Sequence, residues 1–174
     1  MKRPAMLGTG LIALLISFAN HAQPPAVNIA ILQDGREQRG EQLRHALQNE
    51  IVDLTRGEFD VRFPEAKQAQ GNWDLARIRR IVDDALSDPD VDIVITTGPV
   101  VSNEIIARRP FFKPVIAAVV VDADLQGLPV REDGTSGVDN LSYLGSFKNA
   151  QRDIAAFREI VSFERLAILI DALV

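Results

Sequence analysis

The sequence contains no cysteine, so disulfide bonds, thiol catalysis and cysteine metal sites are excluded. It also lacks an excess of positive charge, because 19 Lys and Arg are outnumbered by 24 Asp and Glu and the net charge is −5. A surface that binds nucleic acid concentrates basic residues, and the sequence has no such concentration. We therefore expect no nucleic-acid partner. Hydrophobic residues make up 47% of the chain, which is typical of a globular domain.

The N-terminus resembles a secretory signal peptide in its order of charge and hydrophobicity. Lys2 and Arg3 precede an uncharged run, Pro4 to Phe18, and small residues follow it. The run is shorter than the roughly 20 apolar residues of a membrane-spanning helix. We predict that residues 1–22 are a signal peptide, cleaved after Ala19 or Ala22, and that the protein is periplasmic or secreted. An anchor that is not cleaved is the alternative.

Apolar segments and amphipathic segments alternate along the rest of the chain. The predicted helices begin at Arg36, at Asn72 as an N-cap, and after Gly98. Strands without polar interruption that alternate with helices are typical of a parallel sheet. We predict a doubly wound parallel α/β sheet with the first strand between the second and the third, and the fourth beside the third. The four predicted strands are Val27 to Leu32, Phe59 to Phe63, Asp92 to Thr96 and Val115 to Val121.

The last third of the sequence predicts three more elements. A short fifth strand is predicted within Ser136 to Leu141, among glycine-rich loops. A helix follows, marked by apolar residues at helical spacing from Ala150 to Val161 and capped by Ser146 or Asn149. Leu166 to Ile170 is a further apolar strand.

Ligands of open α/β sheets bind at the carboxyl ends of the strands, and the turn after the third predicted strand has the residues for such a site. Gly98 allows an unusual turn, and Pro99 suits the first position of a helix whose N–H groups attract carboxylates. Asp34 or Asp122 would accept an ammonium group. The alternative is structural: Thr97 caps a helix and Asp34 forms an Asx turn. The candidate ligand-binding residues are Asp34, Gly35, Thr96, Thr97, Gly98, Pro99, Asp122, Asn140 and Tyr143.

Several stretches resemble the first lobe of type 1 periplasmic binding proteins, in particular the ABC transporter substrate-binding family. They are Val27 to Gly35, Asp92 to Ala107, Lys113 to Leu128, Gly134 to Tyr143 and Phe147 to Asp171. The resemblance implies a protein without catalytic activity or cofactor that binds a small molecule such as an amino acid. It also implies an ABC transporter permease as the partner.

The resemblance divides the chain into three parts. Residues 1–22 are the signal peptide, residues 26–145 the first lobe, and residues 146–174 the crossover helix and first strand of an incomplete second lobe. Family members close two lobes around the ligand, so we expect a truncated copy that binds its ligand weakly. We also expect Leu166 to Ile170 either to dock on the sheet edge beside the fourth strand or to drive self-association.

Two other functions stay open. One is an accessory or sensor module of the cell envelope that keeps the fold without tight ligand binding. The other is a phosphatase, because Ala118 to Leu125 ends an apolar strand in Asp-x-Asp, although the order of the accompanying motifs is wrong. A dinucleotide site is excluded, because no G-x-G-x-x-G follows Leu32.

Overall fold

A computed structural model describes residues 23–121, 123–124, 126–145 and 149–165. The strands are β1 (Ala26–Gln33), β2 (Asp60–Arg62), β3 (Ala69–Gln70), β4 (Ile93–Thr96), β5 (Val115–Val120) and β6 (Leu141–Gly145). The helices are α1 (Gln38–Leu54), α2 (Leu75–Ser87), α3 (Pro99–Ile106) and α4 (Asn149–Ile160), and a short 3₁₀ helix spans Glu65–Lys67. In the part of the chain so described, no helix is both long enough and apolar enough to cross a membrane.

The strands form one sheet in the order β2-β1-β4-β5-β6, and β3 pairs with β1 beyond the end of β2. Each of these pairings is parallel. The parallel α/β class and the order of the four predicted strands are therefore confirmed. β2 and β3 extend one another along β1: Ala26 lies opposite Asp60, and Gln33 lies opposite Gln70.

Alternate residues of β1 pack on opposite faces of the sheet, as the geometry of a strand requires. Ile29 and Ile31 belong to a cluster that includes Leu47 and Ile51 of α1. Ala30 and Leu32 belong to a second cluster, with buried side chains of α2 and α3. Helices thus cover both faces of the sheet. The buried residues of α2 and α3 are Ile78, Val82, Ala85, Val101, Ser102, Ile105 and Ile106.

The start of α2 differs from the prediction that Asn72 caps it. Asp74 is the N-cap: its backbone is extended, and its carboxylate accepts the N–H of Arg77 at 2.6 Å. Asn72 and Trp73 have left-handed φ angles of 54° and 60°. The chain therefore makes a tight turn at these two residues before the helix begins.

The predicted fifth strand is displaced along the chain. β6 begins where the prediction ends, at Leu141, whereas Ser136 forms an isolated antiparallel bridge with Val130. A turn at Asp133, whose carboxylate accepts the N–H of Thr135 at 2.9 Å, folds this loop back on itself. Pairing with β6 covers the edge of β5 that was predicted to receive Leu166 to Ile170.

Three of the predictions about segments and helix caps fall outside the described residues. They concern the signal peptide at residues 1–22, the strand Leu166 to Ile170, and Ser146 as a helix cap. The helix itself is present as α4, and Asn149, the alternative predicted cap, is its first helical residue.

Candidate functional site

Asp34 lies directly after β1, and its carboxylate points at the beginning of α3. The residue is only 4% exposed. Its two oxygens accept the backbone N–H groups of Val100, at 3.1 Å, and Val101, at 2.7 Å. The first N–H groups of a helix have no partner within the helix and carry its partial positive charge. A carboxylate of the chain itself therefore caps the helix end that was predicted to attract a ligand.

Gly98 is required at the N-cap of α3 for space. A β-carbon at this position would lie 2.3 Å from Cγ of Asp34 and 2.5 Å from each carboxylate oxygen. The φ angle of Gly98 is −129°, which any residue adopts. The prediction that Gly98 allows an unusual turn is therefore wrong. Glycine is needed at this position because the backbone lies very close to the Asp34 carboxylate.

The pKa of Asp34 is raised because burial disfavours the charged carboxylate. The N–H bonds from Val101 and Val100 act in the opposite direction, and the negative charge of Glu37 raises the pKa further. Since both oxygens of Asp34 already accept helix N–H groups, this carboxylate is not presented to a solute in the way the sequence predicted.

The threonines of the predicted site have different roles. Thr96 is fully buried, and its hydroxyl makes a 2.7 Å hydrogen bond with the hydroxyl of Ser102 on α3. The backbone N–H of Thr97 donates to the carbonyl of Leu32 at 3.0 Å. Pro99 is exposed at the first helical position, as predicted. These groups join β4 to β1 and α3, so they build the carboxyl edge of the sheet.

The structure does not bring all nine predicted residues together. Asp34, Gly35 and the segment Thr96 to Pro99 lie at one edge, where β1 and β4 end. Asn140 precedes β6 and therefore lies at the opposite, amino edge, where its Nδ2 donates to the Phe111 carbonyl at 2.9 Å. Tyr143 is half-buried in the middle of β6, opposite Ala117.

Asp122, the ninth predicted residue, lies outside the described residues. Among the residues that the structure describes, no group of His, Asp and Glu is arranged to hold a metal ion.

A large polar groove opens at the carboxyl edge of β1, between β3 and the start of α1. Its volume is about 950 Å³. Polar residues form almost all of its wall: three arginines, three glutamates, four glutamines and one asparagine. The residues are Gln33, Arg36, Glu37, Gln38, Glu41, Arg44, Glu65, Gln68, Ala69, Gln70, Asn72 and Arg77. We call this surface the polar groove.

A chain of hydrogen bonds holds part of the groove wall in place. Gln33 is 5% exposed, and its Oε1 accepts from Nε2 of Gln70 at 3.4 Å. The same Nε2 donates to Glu41, which accepts Nη2 of Arg44 at 2.6 Å. The Arg44 guanidinium lowers the pKa of Glu41. These hydrogen bonds connect the four side chains into one polar network in the groove wall.

The first turn of α1 also opens into the polar groove. Glu37 is its N-cap residue, and within the described part of the chain no side chain caps this helix end. Gln38, the first residue of the helix, lines the groove. The contrast with α3 is direct: Asp34 covers the N-terminus of α3, whereas the N-terminus of α1 adjoins an open space with arginines nearby.

The sequence did not identify the polar groove. Gln33 was the one available signal in the sequence, because it is the first polar side chain after the apolar residues of β1. The structure shows that this side chain is buried. The rest of the wall depends on β3, whose two residues show no strand pattern. Arg36, Glu37 and Gln70 become neighbours only when β3 pairs with the end of β1.

Comparisons with family models, with curated proteins and with solved structures find no match to this chain.

Proposed function

We propose that this chain is an exported solute-binding protein that holds a small zwitterionic molecule, such as an amino acid, in the polar groove. The observation that carries this proposal is the position of the polar groove together with the residues that line it. The groove has a volume of about 950 Å³, lies where β1 ends, and has charged side chains of both signs around it. The carboxyl ends of parallel strands are the usual place for ligands in α/β sheets.

The groove matches the two charges of such a molecule. Arg36 and Arg77 supply positive charge, and the uncapped end of α1 adds backbone N–H groups for a carboxylate. Glu37 and Glu65 supply acceptors for an ammonium group. Arg77 is held in place by the bond from its Nε to the Gln70 carbonyl, at 2.8 Å. Fixed polar groups of this kind orient a small ligand.

The family proposed is the ABC transporter substrate-binding family, with a permease of that type as the partner. The residue patterns at Val27 to Gly35 and Asp92 to Ala107 support it, together with a parallel sheet in the expected order. Export is proposed from the signal-type pattern of residues 1–22.

One observation favours the second candidate function, an envelope module that keeps the fold without tight ligand binding. The Asp34 carboxylate covers the N-terminus of α3 at the carboxyl edge of the sheet. Both of its oxygens already accept backbone N–H groups of that helix. A module of this kind would not bind free solutes through the polar groove either. Titration with a small zwitterion therefore separates the two candidates.

Replacing Arg36 by glutamine should weaken the binding of L-alanine about five- to tenfold, because a hydrogen bond to a charged group contributes about 1.5 kcal/mol or slightly less at an open site. Arg36 lines the groove beside the start of α1. Isothermal titration calorimetry of the full chain gives the two dissociation constants.

The matched control is Arg56→Gln. Arg56 follows the far end of α1, where it pairs with Asp53 on the surface. This variant removes the same charge and should change the affinity for L-alanine less than twofold. Equal losses in both variants would mean that general electrostatics, and not the polar groove, accounts for binding. No heat of binding in the unmodified chain would favour the envelope module.

A further inference from the structure

Trp73 is the single tryptophan of the chain, and it lies at the same sheet edge as the polar groove. It follows Asn72, a residue of the groove wall. Its backbone N–H donates to the Asp34 carbonyl at 2.8 Å, which ties it to the end of β1. The residue is 45% exposed.

The indole ring rests on Gly35. A β-carbon at Gly35 would lie 2.1 Å from Nε1, 2.4 Å from Cδ1 and 2.6 Å from Cε2 of Trp73. All three atoms belong to the five-membered ring, so the backbone of Gly35 supports that part of the indole. The ring can occupy this position only because residue 35 has no side chain.

The backbone on both sides of the ring is also fixed. Asn72 and Trp73 both adopt left-handed φ angles, and Gly71 donates its N–H to the Gln33 carbonyl at 2.9 Å. Asp74 then donates to the Gly71 carbonyl at 3.1 Å and begins α2 as its cap. Trp73 is thus a fixed, partly exposed aromatic surface between the end of β1 and α2.

An exposed aromatic ring beside a polar pocket is a common arrangement in small-molecule sites. The polar groups set the orientation of the ligand, and the ring supplies apolar contact area. Ala69 is the one apolar residue in the lining of the polar groove, so the groove wall itself contains no aromatic ring. Trp73, which follows Asn72 of that wall, is an aromatic side chain at the same edge of the sheet.

We propose that Trp73 is the apolar contact surface of the solute site and that it selects zwitterionic solutes with an aromatic side group. This inference rests on the proposed function, because it assigns a preference to the same site. L-Phenylalanine and L-alanine are matched probes, since they carry the same ammonium and carboxylate groups and differ by a phenyl ring.

The full chain should bind L-phenylalanine about five- to tenfold more tightly than L-alanine, the ratio expected for one aromatic contact. L-Phenylalanine, but not L-alanine, should shift the emission of Trp73. In Trp73→Ala the two dissociation constants should agree within about twofold, with the L-alanine value unchanged. Trp73→Phe should keep most of the preference, because it keeps an aromatic ring.

Each other outcome overturns the inference in a recognisable way. Equal affinity for both probes in the unmodified chain, or a preference that persists in Trp73→Ala, shows that the ring does not contact the solute. Loss of L-alanine binding in Trp73→Ala shows a structural role for Trp73. If neither probe binds the unmodified chain, the proposed function fails first, and the inference fails with it.

Discussion

Replacing Gly98 by alanine should lower the free energy of unfolding by about 3 kcal/mol, combining about 2 kcal/mol for overpacking with about 1 kcal/mol for a weakened helix cap. The added methyl group would lie 2.3 to 2.5 Å from the Asp34 carboxylate. Either Asp34 or the start of α3 must move, and the bonds to Val100 and Val101 are then lost or lengthened. Urea unfolding followed by circular dichroism measures the change.

Two further variants make this prediction specific. Gly145→Ala is the matched control, because a β-carbon there would meet its nearest neighbour, the Tyr143 ring, at an ordinary 3.8 Å. It should change stability by less than about 0.5 kcal/mol. In an Asp34→Ala background the space beside Gly98 is vacated, so adding Gly98→Ala should cost less than about 1 kcal/mol. Full additivity of the two substitutions would contradict the contact.

Replacing Lys113 by methionine should lower the free energy of unfolding by about 2 kcal/mol, because three carbonyls in a partly buried position then lose a charged donor. The Nζ of Lys113 donates to the carbonyls of Ala85, at 3.3 Å, Asp88, at 2.5 Å, and Val91, at 2.8 Å. These carbonyls belong to the end of α2 and to the loop that leads into β4. One ammonium group therefore satisfies three acceptors where the helix stops.

Lys67→Met is the control for the lysine prediction. Lys67 pairs with the Asp88 side chain near the same loop, and both side chains are 24% exposed. Solvent screens a partly exposed ion pair of this kind, so Lys67→Met should lower the free energy of unfolding by less than Lys113→Met does. A larger loss for Lys67→Met than for Lys113→Met in the same urea experiment would show that the ion pair, and not the three carbonyl bonds, holds the loop.

The sheet was predictable from the sequence because its central strands are buried on both faces. Runs such as Ile93 to Ile95 and Val115 to Val120 contain no polar residue, and short connections leave few parallel arrangements. The helix α3 was also predictable, because Pro99 marks its start. It ends at Ile106, four residues before Pro110.

The environment of Asp34 was not predictable from local patterns. Its bond to Val101 joins residues that are 67 positions apart. The sequence shows an aspartate after one strand and a glycine after another, which fits a ligand site and a helix cap equally well. The choice between them depends on the pairing of β1 with β4, which brings the two turns together.

The polar groove and Trp73 were missed for a different reason. β3 is two residues long, and it pairs with the end of β1 after the short 3₁₀ helix at Glu65–Lys67. Asn72 and Trp73 then adopt left-handed backbone angles, which sequence patterns assign to glycine. An interpretation of Asn72 as a helix cap does not anticipate this turn.

The most direct test of the polar groove is a nitrogen-15 NMR titration of the full chain with L-alanine, followed through the side-chain amides of glutamine. Four glutamines, Gln33, Gln38, Gln68 and Gln70, line the groove. Their resonances should shift together with one dissociation constant, while that of Gln48 on α1, which is not part of the groove wall, stays in place. Shifts confined to other residues, or an unchanged spectrum at saturating L-alanine, would contradict a solute site in this groove.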